Sequence, residues 1–347
     1  MIGVLGFAGI YAAGRFLTLP RGLLWFLAGC WWVALLALTL PAWRVLPTEA
    51  ALAPAFVGGD FVGWVTLAVL TALVMAYRVV LARVKARVPV VVVAAPGKMS
   101  ASELDRYARH IMLREIGGVG QRSLRDAKVL VVGAGGLGSP ALLYLAAAGV
   151  GTIGVIDDDV VDNSNLQRQV IHTDTRIGQD KVQSAMIAMT ALNPFITVRP
   201  YKQRLTEGIA ADLIADYDLV LDGSDNFDTR YLVNAVCARA GKPLVAGAIT
   251  QWEGQLGVYH APHGPCYDCI FPVRPAPGLV PTCAEAGVVA ALPGVIGAMM
   301  AMEAIKHITQ AGEGLVGRLM MYDGLYGEVR VIGAKRRADC KVCGAGH

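Results

Sequence analysis

Charged side chains are scarce in this sequence. They make up 17% of its 347 residues, hydrophobic residues make up 55%, and the net charge is only +4. Much of that charge comes from a cluster that follows an apolar stretch, which is typical of the flank of a membrane span. The cluster consists of Arg78, Arg83, Lys85 and Arg87. The sequence therefore has no broad basic surface for nucleic acid, and we expect no nucleic-acid partner.

Two stretches near the amino terminus lack charge almost entirely. Residues 23–43 contain no charged side chain, and residues 61–80 contain none except Arg78. At a rise of about 1.5 Å per residue, each stretch is long enough to cross a hydrocarbon core of roughly 30 Å. Residues 1–14 form a shorter apolar run that either spans a membrane or packs in a core. These runs predict two or three transmembrane helices within an anchor formed by residues 1–84.

The distribution of cations predicts the orientation of this anchor. Arg15 and Arg21 precede the first long run, and the cluster that begins at Arg78 follows the second, whereas residues 44–60 contain a single Arg. Because cations favour the cytoplasmic side, residues 44–60 should face outward and everything after Arg78 should be cytoplasmic. No charged side chain lies deep in either run, which argues against a transporter or channel. We therefore expect a protein of the cytoplasmic membrane.

The remaining chain begins with a Val-, Ala- and Pro-rich linker at residues 85–100 and continues as a domain at residues 101–347. Lys128–Val132 is a short apolar run that leads into a glycine-rich turn, a helical pattern and a second strand, Thr152–Ile156, which ends at Asp157. Glycines in such a turn let the backbone approach a phosphate, and an acid after the second strand can bind ribose hydroxyls. This turn fits NAD as well as ATP. Its glycines are Gly133, Gly135, Gly136 and Gly138.

Alternating strands and helices continue toward the carboxyl terminus and predict an α/β fold, a Rossmann-like doubly wound sheet with helices on both faces. The predicted strands are Leu219–Asp222 and 243–246, and the predicted helices are Lys181–Leu192 and 226–239. An apolar segment, residues 287–302, is interpreted as a helix in the core or at a dimer interface. Residues 102–114 form an amphipathic helical pattern with Ser102 as the expected N-cap. Its cations Arg106 and Arg109 are either surface charges or reach a phosphate in a neighbouring subunit.

Residues 156–181 are dense in polar groups. A hydride-transferring enzyme does not need this density, whereas an enzyme that adenylates its substrate must neutralise a triphosphate. Arg168 and Lys181 suit that purpose, and the alternative is a solvated loop. Asp225 follows a strand, where it either binds Mg²⁺ or caps the next helix, and Asp222 could share either role.

Four of the seven cysteines form two CxxC pairs. Cys266, Cys269, Cys340 and Cys343 together offer the four thiolates of a closed, structural zinc site. The alternative is a redox pair, which would require a thioredoxin-like context. Cys283 is either a thiol activated near the start of a helix or a small packed residue.

These motifs resemble those of the E1-like family of ThiF and the molybdopterin-synthase adenylyltransferases. The resemblance rests on RYARH, GAGGLG, NLQRQ, GQDK, LDGSDN and both CxxC pairs, in this order from about residue 102 onward. It implies the E1-like adenylating fold and a homodimer that uses ATP and Mg²⁺. The implied reaction is adenylation of the carboxyl-terminal Gly-Gly of a small ubiquitin-like sulfur carrier, for molybdopterin or alternatively for thiamine or another sulfur pathway. No rhodanese-like stretch follows Cys343, so the resemblance also implies a separate sulfur donor.

The resemblance further implies a role for individual residues. Arg168 and Lys181 would contact the triphosphate, Asp157 the ribose and Asp225 the Mg²⁺, while Arg109 would reach across a dimer interface. Asn165 belongs to the same nucleotide-binding run, the two CxxC pairs would bind zinc, and Cys283 would take part in sulfur transfer. Two alternatives remain open, a nicotinamide oxidoreductase and a non-catalytic membrane scaffold.

Overall fold

The computed structural model describes residues 7, 10, 11, 21–38, 61–87, 99–261, 263–276 and 283–344. The chain divides into two units, Met1–Pro89 and Val90–His347. Most of the predicted apolar run at residues 1–14, and most of the predicted linker, lie outside the described residues.

The described residues of the amino-terminal unit include two long helices, α1 (Arg21–Leu38) and α2 (Phe61–Arg87). Among the described residues, one helix, over Val62–Leu81, is long and apolar enough to cross a membrane. The apolar part of α1, Phe26–Leu35, is shorter than that. The predicted pair of spans is therefore matched by one helix of sufficient length, and α2 continues into the first residues of the predicted linker.

The carboxyl-terminal unit is built on one eight-stranded sheet with the order β3-β2-β1-β4-β5-β6-β7-β8. Its first five strands along the chain pair in parallel, and β5 to β8 pair antiparallel. The strands are β1 (Lys128–Val132), β2 (Thr152–Ile156), β3 (Thr197–Tyr201), β4 (Leu219–Asp222), β5 (Leu244–Ile249), β6 (Glu253–Tyr259), β7 (Arg318–Asp323) and β8 (Glu328–Gly333).

Helices cover both faces of this sheet, as the sequence predicts for a doubly wound fold. They are α3 (Ala101–Arg106), α4 (Ala108–Ile111), α5 (Gly117–Asp126), α6 (Gly138–Ala148), α7 (Lys181–Leu192), α8 (Glu207–Ala215), α9 (Phe227–Ala240), α10 (Tyr267–Ile270), α11 (Cys283–Ala286) and α12 (Ala291–Thr309). One core packs α6, α7 and α12 against the sheet, and a second packs α8 and α9 on the opposite face. The predicted strands and helices of the parallel half are confirmed, but the antiparallel half was not predicted.

The apolar segment predicted at residues 287–302 forms most of α12. Ile296, Met300 and Ala304 are fully buried, so this helix packs in the core. A Cβ atom placed on Gly297 would lie 2.3 Å from the backbone oxygen of Leu137. This glycine therefore lets α12 pack closely against the glycine-rich turn.

The prediction that Ser102 caps a helix over residues 102–114 is wrong. Ser100 is the N-cap: its Oγ accepts from the backbone of Glu103 at 3.2 Å, and the Glu103 carboxylate accepts from the backbone of Ser100 at 2.7 Å. This reciprocal capping box requires a glutamate three residues after the serine, which Ser100 has and Ser102 lacks. The helical pattern is also interrupted at Tyr107, between α3 and α4.

Candidate functional site

Three turns meet at the carboxyl edge of the parallel strands. Val132 pairs with Ile156 and with Asp222, so the residues that follow β1, β2 and β4 leave the sheet at the same level. Gly133 has a φ of 92°, and a Cβ atom on Gly138 would lie 1.9 Å from the Gly133 oxygen. The turn after β1 therefore requires glycine at both positions.

Asp157 holds the glycine-rich turn through its backbone contacts. One carboxylate oxygen accepts from the Ala134 amide at 2.8 Å, and the other accepts from the Asp159 amide at 2.9 Å. Burial raises the pKa of Asp157 above its usual range, against the opposing effect of these amides and of Lys181. Each oxygen can accept a second hydrogen bond, so the predicted contact with a ribose hydroxyl is compatible with this geometry.

The next two amides of the turn, those of Gly135 and Gly136, donate to no acceptor in the described part of the chain. The NLQRQ run lies over them. A Cβ atom on Gly135 would lie 3.7 Å from Gln169 Nε2, and one on Gly136 would lie 3.9 Å from Arg168 Cδ. The structure thus brings the predicted cation Arg168 to the free amides at the start of a helix, an arrangement that favours an anion.

Asn165 forms hydrogen bonds that hold the NLQRQ run in its conformation. Its Oδ1 accepts from Gln169 Nε2 at 2.7 Å, and its Nδ2 donates to Ser164 Oγ at 3.1 Å. Arg168 Nη1 donates to the backbone oxygen of Ser164 at 3.2 Å. The predicted nucleotide-binding residue Asn165 therefore engages its own segment and fixes the side chains beside the glycine turn.

Lys181 starts α7 on the same edge of the sheet. It is 5% exposed, and its Nζ lies 2.7 Å from Asp159 Oδ2. It is close enough to Asp157 to oppose the rise in the pKa of that carboxyl group. A buried ammonium group with an exposed partner at the rim can exchange that partner for another anion.

Asp225 lies in the turn after β4, exposed and with no polar partner among the described residues. It does not cap α9, because the N-cap is Asn226, whose Oδ1 accepts from the Thr229 amide at 2.8 Å. Asp222 does not share its position. That carboxylate is fully buried and accepts from the Ser224 amide at 2.9 Å, so it shapes the turn and leaves Asp225 as the carboxylate available to a cation.

The two candidate arginines before the sheet differ in their surroundings. Arg106 donates to the backbone oxygen of Leu192 at 2.8 Å and lies 5.6 Å above the ring of Phe195, so it is bound within its own chain. Arg109 is exposed and has no partner in the described part of the chain. Of the pair, Arg109 is thus the one whose guanidinium group is free of described partners.

Tertiary folding joins the two CxxC pairs. All four sulfur atoms lie within 4.8 Å of one another, and the four residues are buried. Cys266 and Cys340 are 3.5 Å apart at sulfur, and Cys269 and Cys343 are 3.4 Å apart. Ligands at about 2.3 Å from a tetrahedral zinc ion lie roughly 3.8 Å apart. The cluster therefore fits zinc, as predicted.

Cys283 begins the four-residue helix α11. Its side chain is not among those that the structure describes, so the predicted role in sulfur transfer stays a prediction.

A comparison with known protein families agrees with the site. The sequence profile of the ThiF family matches residues 107–342. The chain belongs to the ThiF family. This membership excludes the nicotinamide oxidoreductase as an interpretation of the glycine turn.

Two relatives within the family are matched over nearly their whole length, and a third over little more than half of it. The SAMP-activating enzyme E1 of Haloferax volcanii is 48% identical over 248 residues, which are 72% of this chain and 92% of that protein. The sulfur carrier protein adenylyltransferase of Thermus thermophilus is 49% identical over 252 residues, 71% of this chain and 93% of that protein. The adenylyltransferase and sulfurtransferase MOCS3 of Mus musculus is 46% identical, but this chain covers 56% of it.

Solved structures share the same fold at lower identity. The crystal structure of E. coli MccB with MccA-N7isoASN matches with a TM-score of 0.62 and 24% identity, over 69% of this chain and 74% of that chain. The complex of E. coli MccB with ATP matches with a TM-score of 0.59 and 24% identity, over 71% and 75%. The Rossmann-like adenylating fold of this ThiF-family chain is thereby confirmed.

Two buried residues at the site were not predicted. Arg230 donates through Nη2 to the backbone oxygens of Ser224 and Gly247, at 2.9 Å each, and so ties the turn after β4 to β5. His172 is buried, with Nε2 at 3.0 Å from the Ala134 oxygen. Neither residue belongs to a motif, and only their depth in the fold distinguishes them from ordinary helix or loop residues.

Proposed function

We propose that this protein activates the carboxyl terminus of a small ubiquitin-like sulfur carrier with ATP. The observation that carries the proposal is that Arg168 lies beside the free amides of the glycine turn, while Lys181 and Asp225 lie at the same edge of the sheet. Cations, amides and one unpaired carboxylate at a single sheet edge suit a nucleotide triphosphate with its metal ion. The near-full-length similarity to a sulfur carrier protein adenylyltransferase supports the same conclusion.

The chemistry follows from these positions. A carboxylate oxygen of the carrier's terminal glycine forms a bond to the α-phosphorus, the bond to the bridging oxygen breaks, and pyrophosphate leaves. The Gly135 and Gly136 amides hold phosphate oxygens, while Arg168 and Lys181 neutralise the charge that develops during transfer. Asp225 would hold Mg²⁺, which supplies further neutralisation. No side chain needs to form a covalent bond in this step, because positioning and electrostatics provide the rate enhancement.

The sheet offers an apolar surface for a protein substrate. Val329 and Val331 on the edge strand β8 are 55% and 50% exposed. They pair with Tyr322 and Met320, which pack against the core, so they extend the same face beyond the helices that cover it. We propose that the carrier packs on this face and inserts its Gly-Gly terminus toward the glycine turn.

The pathway and the assembly follow from the same proposal. The carrier would serve molybdopterin synthesis, with thiamine or another sulfur pathway as the alternative, and a separate donor would supply the sulfur that replaces AMP. Arg109, exposed and unpaired in the described part of the chain, would complete the phosphate site of a second subunit in a homodimer. The four buried cysteines would hold a structural zinc ion.

We also propose that the amino-terminal unit anchors the protein in the cytoplasmic membrane, with the catalytic unit on the cytoplasmic side. The side chains of α2 from Val65 to Val80 are largely exposed and apolar. The hydroxyls of Thr66 and Thr71 donate to backbone oxygens one turn earlier, at 2.8 Å each, which satisfies them without water. Recovery of the full-length protein in a salt-washed soluble fraction would refute the anchor.

ATP–pyrophosphate exchange tests the catalytic proposal. Purified full-length protein is incubated with labelled pyrophosphate, ATP, Mg²⁺ and one of several candidate carriers that end in Gly-Gly. We expect exchange that requires both Mg²⁺ and a carrier, and the preferred carrier identifies the pathway. A folded, zinc-containing protein that supports no exchange with any carrier would instead favour the membrane scaffold.

A further inference from the structure

A buried histidine holds one peptide of the glycine turn. His172 is 5% exposed, and its Nε2 lies 3.0 Å from the backbone oxygen of Ala134. A carbonyl oxygen can only accept a hydrogen bond, so Nε2 carries the proton and donates it. His172 therefore makes the shorter of two contacts that fix the direction of the Ala134 carbonyl, the other being a donation from Ser139 Oγ at 3.4 Å.

The same contact fixes the amide on the other side of that peptide. In a planar trans peptide the N–H and the C=O point in opposite directions, so the Gly135 amide points away from His172. This amide has no acceptor in the described part of the chain, and the Gln169 and Arg168 side chains lie over the turn beside it. A free amide at the start of a helix next to a cation is suited to a phosphate oxygen.

Two further residues fix the tautomer of the ring. Ser184 Oγ lies 2.9 Å from His172 Nδ1 and 3.2 Å from Arg176 Nη1. Arg176 can only donate, so the Ser184 hydroxyl accepts from it and gives its own proton to Nδ1. Burial, together with the nearby cations Lys181 and Arg176, lowers the pKa of His172 to about 4, and the ring is therefore neutral at physiological pH.

These hydrogen bonds connect the two halves of the nucleotide site. Ser184 lies on α7, one turn after Lys181, and Ala134 lies in the glycine turn. We propose that His172 is a positioning residue: it aims the Gly135 amide at the nucleotide phosphates and holds the glycine turn in register with the Lys181 helix. The inference rests on the proposed function only in that phosphates must bind at this turn.

Equilibrium binding of Mg²⁺-ATP to the full-length protein tests this role in three variants. His172→Leu should weaken ATP binding about tenfold, the effect of losing one hydrogen bond to a charged group. His172→Gln, whose side-chain amide can donate to the Ala134 oxygen, should stay within about threefold of the wild type. His307→Leu, a matched change in the last turn of α12 where the ring lies 5.7 Å from that of His260, should leave ATP affinity unchanged.

Two results would overturn the role of His172. One is wild-type ATP affinity in His172→Leu, and the other is a glutamine variant as weak as the leucine variant. If the leucine variant does not fold, ¹⁵N spectra of the histidine-labelled wild type decide, since a proton on Nδ1 in place of Nε2 contradicts the proposed chain of hydrogen bonds. If the wild-type protein binds ATP but supports no exchange, the proposed adenylation is refuted. The ATP affinities of the variants would still test the role of His172.

Discussion

The ammonium group of Lys181 lies 2.7 Å from the carboxylate of Asp159, although the lysine side chain is 6% exposed and the aspartate side chain 66%. The pair thus joins a buried cation to an anion at the rim of the site. A second pair of similar length, Lys202 and Asp180 at 2.6 Å, lies nearby with the lysine side chain 55% exposed. The two pairs have the same chemistry, but only the first cation lies against the carboxylates beside the glycine turn.

This contrast predicts different consequences for two identical substitutions. Lys181→Met should lower kcat/KM for ATP in the exchange reaction by about 100-fold or more, because it removes a desolvated cation from the transferring phosphates. Lys202→Met should change it by less than about twofold, since exposed ion pairs contribute little. Exchange rates at saturating carrier measure both, and full activity of Lys181→Met would contradict the assigned role.

Asp225→Asn should shift the Mg²⁺ requirement of the reaction. Loss of the only unpaired carboxylate described in the turn after β4 weakens metal binding, so exchange should fall at least about 100-fold and need more Mg²⁺. The stability should stay within about 0.5 kcal/mol, because the side chain is exposed and makes no described contact. Asp212→Asn, the same change at an exposed position on α8, is the control. An unaltered Mg²⁺ titration curve for Asp225→Asn would exclude it as a ligand.

Cys340→Ser should release the zinc ion and loosen the carboxyl-terminal knuckle. We expect a loss of at least about 3 kcal/mol in the free energy of unfolding, a fall of roughly 6–12 °C in Tm, because metal binding stabilises the folded state. Cys237→Ala, at a buried cysteine outside the cluster, should keep one zinc ion per chain. Metal analysis and thermal unfolding measure both effects, and zinc retained in full by the serine variant would refute the site.

Acid should destabilise the fold in part through His172. Its pKa is about 4 in the folded chain against 6.5 as the ordinary value, so the unfolded chain binds more protons between these limits. Stability is therefore complete above about pH 6.5 and is lost as pH falls toward 4, by up to about 3 kcal/mol. His172→Gln should lose less stability than the wild type over this window in urea unfolding. His260 and His307 are present in both proteins and cannot account for a difference between them. An equal change with pH in the free energy of unfolding of the two proteins would therefore contradict the assignment to His172.

Val331→Glu should raise KM for the carrier about tenfold and leave ATP binding unchanged, because it places a charge on the proposed apolar contact face. Ile332→Glu is the matched control on the other face of the same strand, where successive side chains alternate. Equal effects of the two substitutions on the carrier KM would argue against this face as the docking surface.

The parallel half of the fold could be predicted because its signals are local. The apolar run of β1, the glycines that follow it and the helical pattern of α6 specify strand, turn and helix without reference to distant residues. The antiparallel half gave no comparable signal. Strand β8 alternates polar and apolar residues only from Glu328 to Val331, and all six of its residues are exposed, so no buried run marks it as a strand.

The sequence by itself determined which residue types are available: the glycine turn, the cations of residues 156–181, the acid after β4 and the spacing within each CxxC pair. Only the tertiary structure decided which of them meet. Residues 266 and 340 approach at 3.5 Å, and His172 reaches Ala134 across 38 positions, because the fold brings together segments that are distant in the sequence. The glutamate three residues after Ser100 distinguishes that serine from Ser102 in the sequence itself, but nothing in the sequence distinguishes Asp222 from Asp225. Burial and the hydrogen bonds that it enforces distinguish them, because a buried polar group must find its partner in the fold.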